Sequence, residues 1–386
     1  MSEESTAYDA SRIVVLEGLE AVRKRPGMYI GSVGQRGLHH LVFEAAERAL
    51  EEVLDGTAGR VEITLTADGG VRVADDGAGL SVEHAGHTGH GDGPSLENQL
   101  TVLGCGVRPV NRRSLSGGFS SLGLAVVNAL SGRLTAEVRR DGARWVLEYE
   151  RGVAVAAPTR TGAADGSGTT ITLRPDPEIF DTLEFSFDAL AERFRELAFL
   201  NRDLDTTLTD DRGPAAPRAV RFRFPGGLKD HIAEQGDPLH PDVIAFEREY
   251  PDMGGTVEVA LRWCDSPEER VTSYANSRPT AGGGTHELGF RDGLAAALTA
   301  HAREHRLLAP SDPDFTPAQL GAGLAAIVSV KLDRPEFEGA TRDRLGNRPV
   351  RARVAEAVRE HLTAWLHANP AQATAVLTRI STATRR

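Results

Sequence analysis

Cysteine is scarce in this chain: Cys105 and Cys264 are the only two among 386 residues. Two thiols so far apart make no disulfide framework, and they read as reduced thiols of a cytoplasmic protein. Lysine is nearly missing too, with only Lys24, Lys229 and Lys331. Basic charge is therefore carried almost throughout by arginine, which differs from lysine in shape and donor geometry. No apolar run approaches the roughly 20 residues of a membrane-spanning helix, and the acidic start Met1-Ser2-Glu3-Glu4-Ser5 is unlike a signal segment. No membrane partner is expected. Excess positive charge is also lacking: the formal net charge is -11, so the whole chain presents no electrostatic footprint for nucleic acid. The best local basic patch is Arg108, Arg112 and Arg113, and any DNA contact is expected to be weak or indirect.

What is present is a soluble globular composition, 40% hydrophobic and 26% charged, long enough for two or three domains. The chain is organised around Leu38 to Val53. At helical period, Leu38, Leu41, Val42, Ala45, Ala49 and Val53 make one apolar stripe. Beside it runs a polar ridge: His40 and Glu44 are four apart, and Arg48 and Glu51 follow at four and three. The ridge has two open readings, a solvated face laced with charge pairs or a site built on a helix.

Taken in order, the polar segment 1–14 reads as an arm. A helical pattern through Ile13, Leu16, Leu19 and Val22 is stopped by Arg25-Pro26-Gly27. Two alternating strands, Arg60 to Leu65 and Gly70 to Ala74, run into Asp75-Asp76-Gly77-Ala78-Gly79, where backbone can approach a ligand closely. His84, His87 and His90 have no regular element to fix their geometry, so they read as a solvated loop rather than a zinc site. The run Ser116 to Gly123 opens a helix from Leu122 to Leu130. It is either a phosphate cradle of exposed N–H groups or an ordinary helix cap. Strands at Leu134–Arg139, Arg144–Tyr149 and Thr169–Leu173 and a helix Phe187–Leu200 follow. Pro225-Gly226-Gly227 is the candidate domain boundary. Beyond it come a short helix, strands including the apolar run Ala325–Val330, a long helix through Phe290 to Glu304, and a C-terminal helix from Val350 onwards.

Several stretches carry a family resemblance in order along the chain. They are Val15 to Gly31, Gly37-Leu38-His39-His40-Leu41-Val42-Phe43-Glu44, Asp75-Asp76-Gly77, Ser116-Gly117-Gly118, Val126 to Ser131, Gly283-Gly284-Thr285-His286 and Phe337-Glu338-Gly339. The chain resembles the N-terminal ATPase region of the B subunits of DNA gyrase and topoisomerase IV. The resemblance implies an α+β fold: a GHKL (Bergerat) α/β sandwich over 15–224, then a transducer domain of ribosomal-protein-S5-like type over 225–386 with a long C-terminal helix. It implies ATP as ligand, a homodimer formed through the arm, and gyrase subunits as partners. It casts Glu44 as the general base for the attacking water, held by His40. Asp75 becomes the adenine reader, supported by Thr169, and Gly79 lets backbone pass close to the base. The lid is Gly118, Phe119, Ser120, Ser121, Leu122 and Gly123, running into Leu124. Tyr8 corresponds to the arm residue that reaches the nucleotide of the other protomer, and Arg140 to an arginine at the mouth of the aminocoumarin pocket.

The departures matter equally. The family's magnesium-ligating asparagine is Arg48, which has donors only and cannot ligate a cation. Glu51 replaces an aspartate, Ala78 an arginine, Ser81 a proline, and Ser120 and Ser121 a histidine and a glycine. The triplet whose lysine reaches the γ-phosphate reads Ala340-Thr341-Arg342. No acidic glycine-rich signature of the metal-dependent cleavage (Toprim) domain is present, so that domain is expected to be absent. Two fates are open for Arg48: a fixed cation against the phosphates in place of magnesium, or a pair with Glu44 or Glu51. Hydrolysis is expected to be weak or altered, with a non-catalytic switch or decoy as the competing reading.

Overall fold

The computed structural model describes residues 17–82, 94–106, 111–112, 115, 122–214, 216–339 and 341–383. The first half runs α1 (Gly18–Lys24), α2 (Gly27–Ile30), α3 (Gln35–Leu54), β1 (Val61–Leu65), β2 (Val71–Asp75), α4 (Leu96–Thr101), α5 (Leu124–Ala129) and β3 (Ser131–Arg140). It continues through β4 (Ala143–Glu150), β5 (Val153–Ala154), β6 (Thr159–Ala163), β7 (Gly168–Pro175), α6 (Phe187–Leu200), β8 (Thr206–Asp210) and β9 (Arg218–Phe222). The nine strands form one sheet in the order β5-β4-β3-β7-β2-β1-β8-β9, with β6 also on β4. Pairing is antiparallel except between β1 and β8. Val61, Ile63 and Leu65 are buried while Glu62 and Thr64 are half-buried, the period-2 pattern of a sheet covered on one face. The cover is helical: Leu38, Leu41, Val42, Ala45 and Ala49 of α3 join Ile63, Val73 and Leu173 in one core. Each large aliphatic side chain among them contributes about 1.5–3 kcal/mol by leaving water.

The second half runs α7 (Leu228–Ala233), β10 (Ile244–Tyr250), β11 (Gly255–Trp263), β12 (Arg270–Ala275), β13 (Arg278–Pro279), α8 (Thr285–Glu304) and α9 (Pro317–Leu320). After these come β14 (Leu324–Leu332), β15 (Phe337–Glu338), β16 (Arg344–Leu345), α10 (Arg348–Ala368) and α11 (Pro370–Ala383). A five-stranded sheet has the order β10-β11-β14-β12-β13. β14 is apolar without interruption from Leu324 to Val328 because both of its faces are covered. Ala326, Val328, Val330 and Leu332 share one core with residues of α8 and α10, while Ile327 joins the first core. On that second face Lys331 Nζ donates to Asn201 Oδ1 at 3.1 Å. Asn201, buried after α6, also donates to Ser277 Oγ at 3.0 Å, so the two halves share a buried polar hub.

Helices α8 and α10 lie close because glycines face the contact. A Cβ on Gly293 would sit 2.6 Å from Ala355 O, and one on Gly289 2.3 Å from Arg351 O. The expected single C-terminal helix is two: α10 ends at Ala368, and Pro370, which lacks an N–H to continue the ladder, opens α11. Strand β10 was not legible, because its alternation Ile244, Phe246, Arg248, Tyr250 leaves only its two ends buried. The candidate boundary falls in the turn before α7, whose Leu228 and Ile232 pack into the first core.

Candidate functional site

Helix α3 starts where the loop 31–34 folds over its first turn. A Cβ on Gly37 would lie 1.8 Å from Ser32 O, so only glycine permits that closure. The apolar stripe is buried as expected, but the polar ridge is not solvated. Glu44 is 5% exposed and His40, Arg48 and Glu51 are half-buried; with Glu47, 9% exposed beside them, they form the floor of a site. Glu44 Oε2 accepts from the backbone N–H groups of Leu122 and Gly123, at 2.9 and 3.1 Å. Glu44 Oε1 lies 3.3 Å from His40 Nε2.

Burial, and then the neighbouring Glu47, push the Glu44 carboxyl up to about 8, although the two N–H bonds hold it down. Burial, then Arg36, pushes His40 below its ordinary value. At neutral pH the pair is therefore a carboxylic acid beside a neutral imidazole, not an ion pair. A carboxyl and an imidazole in one site, both moved from their ordinary values, are equipped for proton transfer.

Asp75 ends β2 and is 4% exposed. Its Oδ1 accepts from Gly77 N at 3.0 Å and Thr169 N at 3.3 Å. Thr169 Oγ1 accepts from Leu80 N at 3.1 Å, tying the loop after β2 to β7. Gly79 has φ 78°, and a Cβ there would meet Arg139 O at 2.5 Å; its need for glycine comes from close passage over β3. Arg140 donates to Gly79 O at 3.1 Å and lines a shallow cavity of about 310 Å³ with Ser81, Trp145 and Arg160.

Arg48 has a partner that neither of its two readings named. Its guanidinium is neither poised as a lone cation nor paired with Glu44. It forms an ion pair with Asp75 Oδ2 and lies 3.8 Å from Glu52 Oε1. The side chain is long enough to cross from α3 to the end of β2, where a buried carboxylate lacks any other cation among the described residues. The position the family fills with a magnesium ligand therefore carries a group without lone pairs, already engaged with a carboxylate. The donor set here does not fit a magnesium ion.

A cavity of about 570 Å³ opens beside His40 and Glu44, bounded also by Glu47, Arg36, Arg193 and Arg278. Asp75, Gly79 and Thr169 do not line it. Sequence reasoning missed these three arginines. Arg36 was legible one turn before His40, but Arg193 and Arg278 arrive from α6 and β13 through the tertiary fold alone. Arg342 is exposed, and its charge acts on Arg278 at the edge of this cavity. Glu51 is half-buried farther along α3, and Leu124 is buried in α5.

Tyr8, Gly118, Phe119, Ser120 and Ser121 lie outside the described residues, as do Ala340, Arg108, Arg113 and the histidines 84, 87 and 90. Of the basic patch, Arg112 is described. It makes a two-pronged bond to Asp333 at 2.8 Å and meets Glu249 at 2.7 Å, so its charge is engaged by the second half rather than offered to DNA. Among the described residues no helix is long and apolar enough to cross a membrane.

Comparison with known proteins gives a consistent picture. Residues 34–179 match the family "Histidine kinase-, DNA gyrase B-, and HSP90-like ATPase", and residues 227–386 match "DNA gyrase B". The B subunit of DNA gyrase from Streptomyces coelicolor is 43% identical over 393 residues, covering 97% of this chain and 57% of that protein. The novobiocin-resistant gyrase B protein of Streptomyces niveus is 43% identical over 96% of the chain and 57% of its own length. The chain thus spans a little under three fifths of these relatives. The solved 43K ATPase domain of Thermus thermophilus gyrase B, in complex with an aminocoumarin, superposes with a TM-score of 0.76 at 32% identity, over 95% of this chain and 94% of that one. The topoisomerase IV ATP-binding domain of Francisella tularensis gives 0.74 at 30% identity, over 96% and 98%.

Proposed function

The chain belongs to the DNA gyrase B family, and on that premise we propose that it is an ATP-binding GHKL region whose nucleotide site is self-occupied when empty. The observation that carries the reading is the ion pair between Arg48 and the buried Asp75. Asp75 is the group assigned to the adenine amine, and its Oδ2 is held by a guanidinium until nucleotide displaces it. The phosphate end is occupied in the same sense. The N–H groups of Leu122 and Gly123, assigned to phosphate, are donated to Glu44. ATP would take over both sets of donors and acceptors, releasing Glu44 to face the attacking water with His40 beside it. Glu44 then accepts the water's proton, and it can do so only after losing its own. Without the family's asparagine, phosphate charge must be met by donors of the chain alone, so turnover is weak. Homodimerisation through segment 1–14 on nucleotide binding, and partnership with other gyrase subunits, follow from the same premise.

A second reading, a non-catalytic switch that binds nucleotide, an aminocoumarin or a true gyrase subunit, is favoured by the acid form of Glu44 at neutral pH. Phosphate release by the wild type, Glu44→Ala and Arg48→Asn, each with magnesium, separates them. The ATPase reading expects weak turnover that vanishes in Glu44→Ala and grows in Arg48→Asn. A wild type and Arg48→Asn that are both inert, while still binding ATP by calorimetry, would establish the switch.

A further inference from the structure

Far from the nucleotide site, the C-terminal end of α8 carries His301, Glu304 and His305. At spacings of three and four they share one helical face. One ligand-capable atom from each lies within 4.8 Å of the others. A third imidazole joins them from the end of α10: His367 Nε2 is 3.0 Å from Glu304 Oε2. The rings of His301 and His305 are 4.2 Å apart between centroids, and those of His301 and His367 5.4 Å.

An independent observation points to an absent ligand. His301 is 4% exposed, yet its Nδ1 is buried with no hydrogen-bond partner. A buried imidazole nitrogen normally finds a donor or acceptor, and leaving one unmatched costs about 1–3 kcal/mol. The nearby cation does not compete for the cluster, since Arg303 is turned to Asp314 at 2.7 Å and to Asp312 O at 3.0 Å.

We propose that His301, Glu304, His305 and His367 form a binding site for one divalent transition-metal ion of the zinc class. Three imidazoles and one carboxylate make the four-coordinate nitrogen-rich shell that such an ion takes, and they exclude magnesium and calcium, which require oxygen. Ligand atoms around a tetrahedral ion about 2.0–2.2 Å away are themselves roughly 3.3 Å apart. The Glu304–His367 separation is already close to that value, and the ligand atoms of His301, Glu304 and His305, within 4.8 Å of one another, close on the ion by side-chain rotation. The ion would join the ends of α8 and α10 immediately before the Asn369–Pro370 break. It would act as a brace on the second half of the molecule, independent of nucleotide.

The test is calorimetric titration of the chelator-stripped full chain with Zn²⁺ alone, on the wild type, His305→Ala, His367→Ala and the pair combined. These two side chains are exposed, so the variants keep the fold, which a circular-dichroism melt checks. A variant with His84, His87 and His90 all changed to alanine controls for the other histidine-rich segment. The expected result is one ion bound by the wild type and by the loop variant. Affinity should fall at least tenfold in each single variant and binding should be lost in the pair. Zn²⁺ should raise the melting temperature of the wild type but not of the pair. Unchanged Zn²⁺ affinity in the paired variant, loss of binding in the loop variant, or no saturable binding by the wild type would each overturn the proposal.

Discussion

Replacing Arg48 with asparagine is the sharpest test of a self-occupied base site, because two measurable quantities must move in opposite directions. The side chains of Arg48 and Asp75 are 16% and 2% exposed. This is a largely desolvated pair, in which removing one partner strands the other. Breaking a buried pair costs about 3–5 kcal/mol. Here the figure is nearer about 2–3, because Arg48 keeps some water and Asp75 retains the N–H groups of Gly77 and Thr169. Nucleotide-free Arg48→Asn should therefore melt lower, by roughly 2–4 °C per kcal/mol for a domain of about 200 residues. The same substitution removes the competitor for Asp75 Oδ2. If displacing the guanidinium currently costs nucleotide binding about 1.4–2.8 kcal/mol, ATP should bind Arg48→Asn roughly 10- to 100-fold more tightly. Calorimetry with ATP in EDTA, run beside the melts, reads both effects without involving magnesium. ATP binding that weakens in Arg48→Asn would mean that Arg48 serves the phosphates instead. An unchanged melting temperature would mean that the pair contributes nothing to the empty fold. Either result refutes the reasoning.

Glu44 sets the pH dependence. Its folded-state value of about 8 lies above the ordinary value of 4.5, so the native state holds a proton that the unfolded chain loses in between. Stability should fall as pH rises from about 4.5 to 8, and Glu44→Gln should abolish that fall in denaturant titrations at stepped pH. Any phosphate release should rise with pH in the wild type, as the base sheds its proton, and a flat profile from neutral to alkaline pH would count against Glu44 as base. Arg23 of α1 donates to Asp176 Oδ2 at 2.6 Å and Ala129 O at 2.7 Å, with the Asp176 side chain fully buried. Arg23→Ala should cost about 2–4 kcal/mol by chemical denaturation. Burial opposes ionisation of Asp176, but Arg23 and the Glu178 N–H prevail and hold it below its ordinary value. This contribution should be present above about pH 4 and vanish as pH falls through the lowered value. Gly293→Ala places a methyl group 2.6 Å from Ala355 O. Prying α8 from α10 should outweigh the gain of about 1 kcal/mol in helix propensity and destabilise by about 1–3 kcal/mol net. A variant as stable as the wild type would show that the two helices can separate freely.

Much of this molecule was legible because its signals are local. The period-3.6 stripe of α3, the alternation of β1 and β2, and the adjacency of His40 and Glu44 depend only on spacing along one element. The burial of Glu44 and Glu47 was not legible. Whether a polar ridge faces water depends on what packs over it, and here that includes α5 and the cavity wall built by Arg193 and Arg278. The break between α10 and α11 is written in Asn369-Pro370, but helical residues on both sides of it make one continuous pattern the natural expectation. His301, Glu304 and His305 have helical spacing in plain view, yet without His367 they resemble an ordinary charged helix end.

By itself the sequence determined the buried stripe of α3, the alternation of β1 and β2, and which side chains on α3 could do acid–base chemistry, because backbone geometry makes those consequences of residue spacing. Tertiary structure alone decided where Arg48 goes. A long, flexible guanidinium on α3 had several carboxylates within reach of the same helix. Only the arrival of the end of β2, with Asp75 drawn out of water and lacking another cation among the described residues, made one of them prevail.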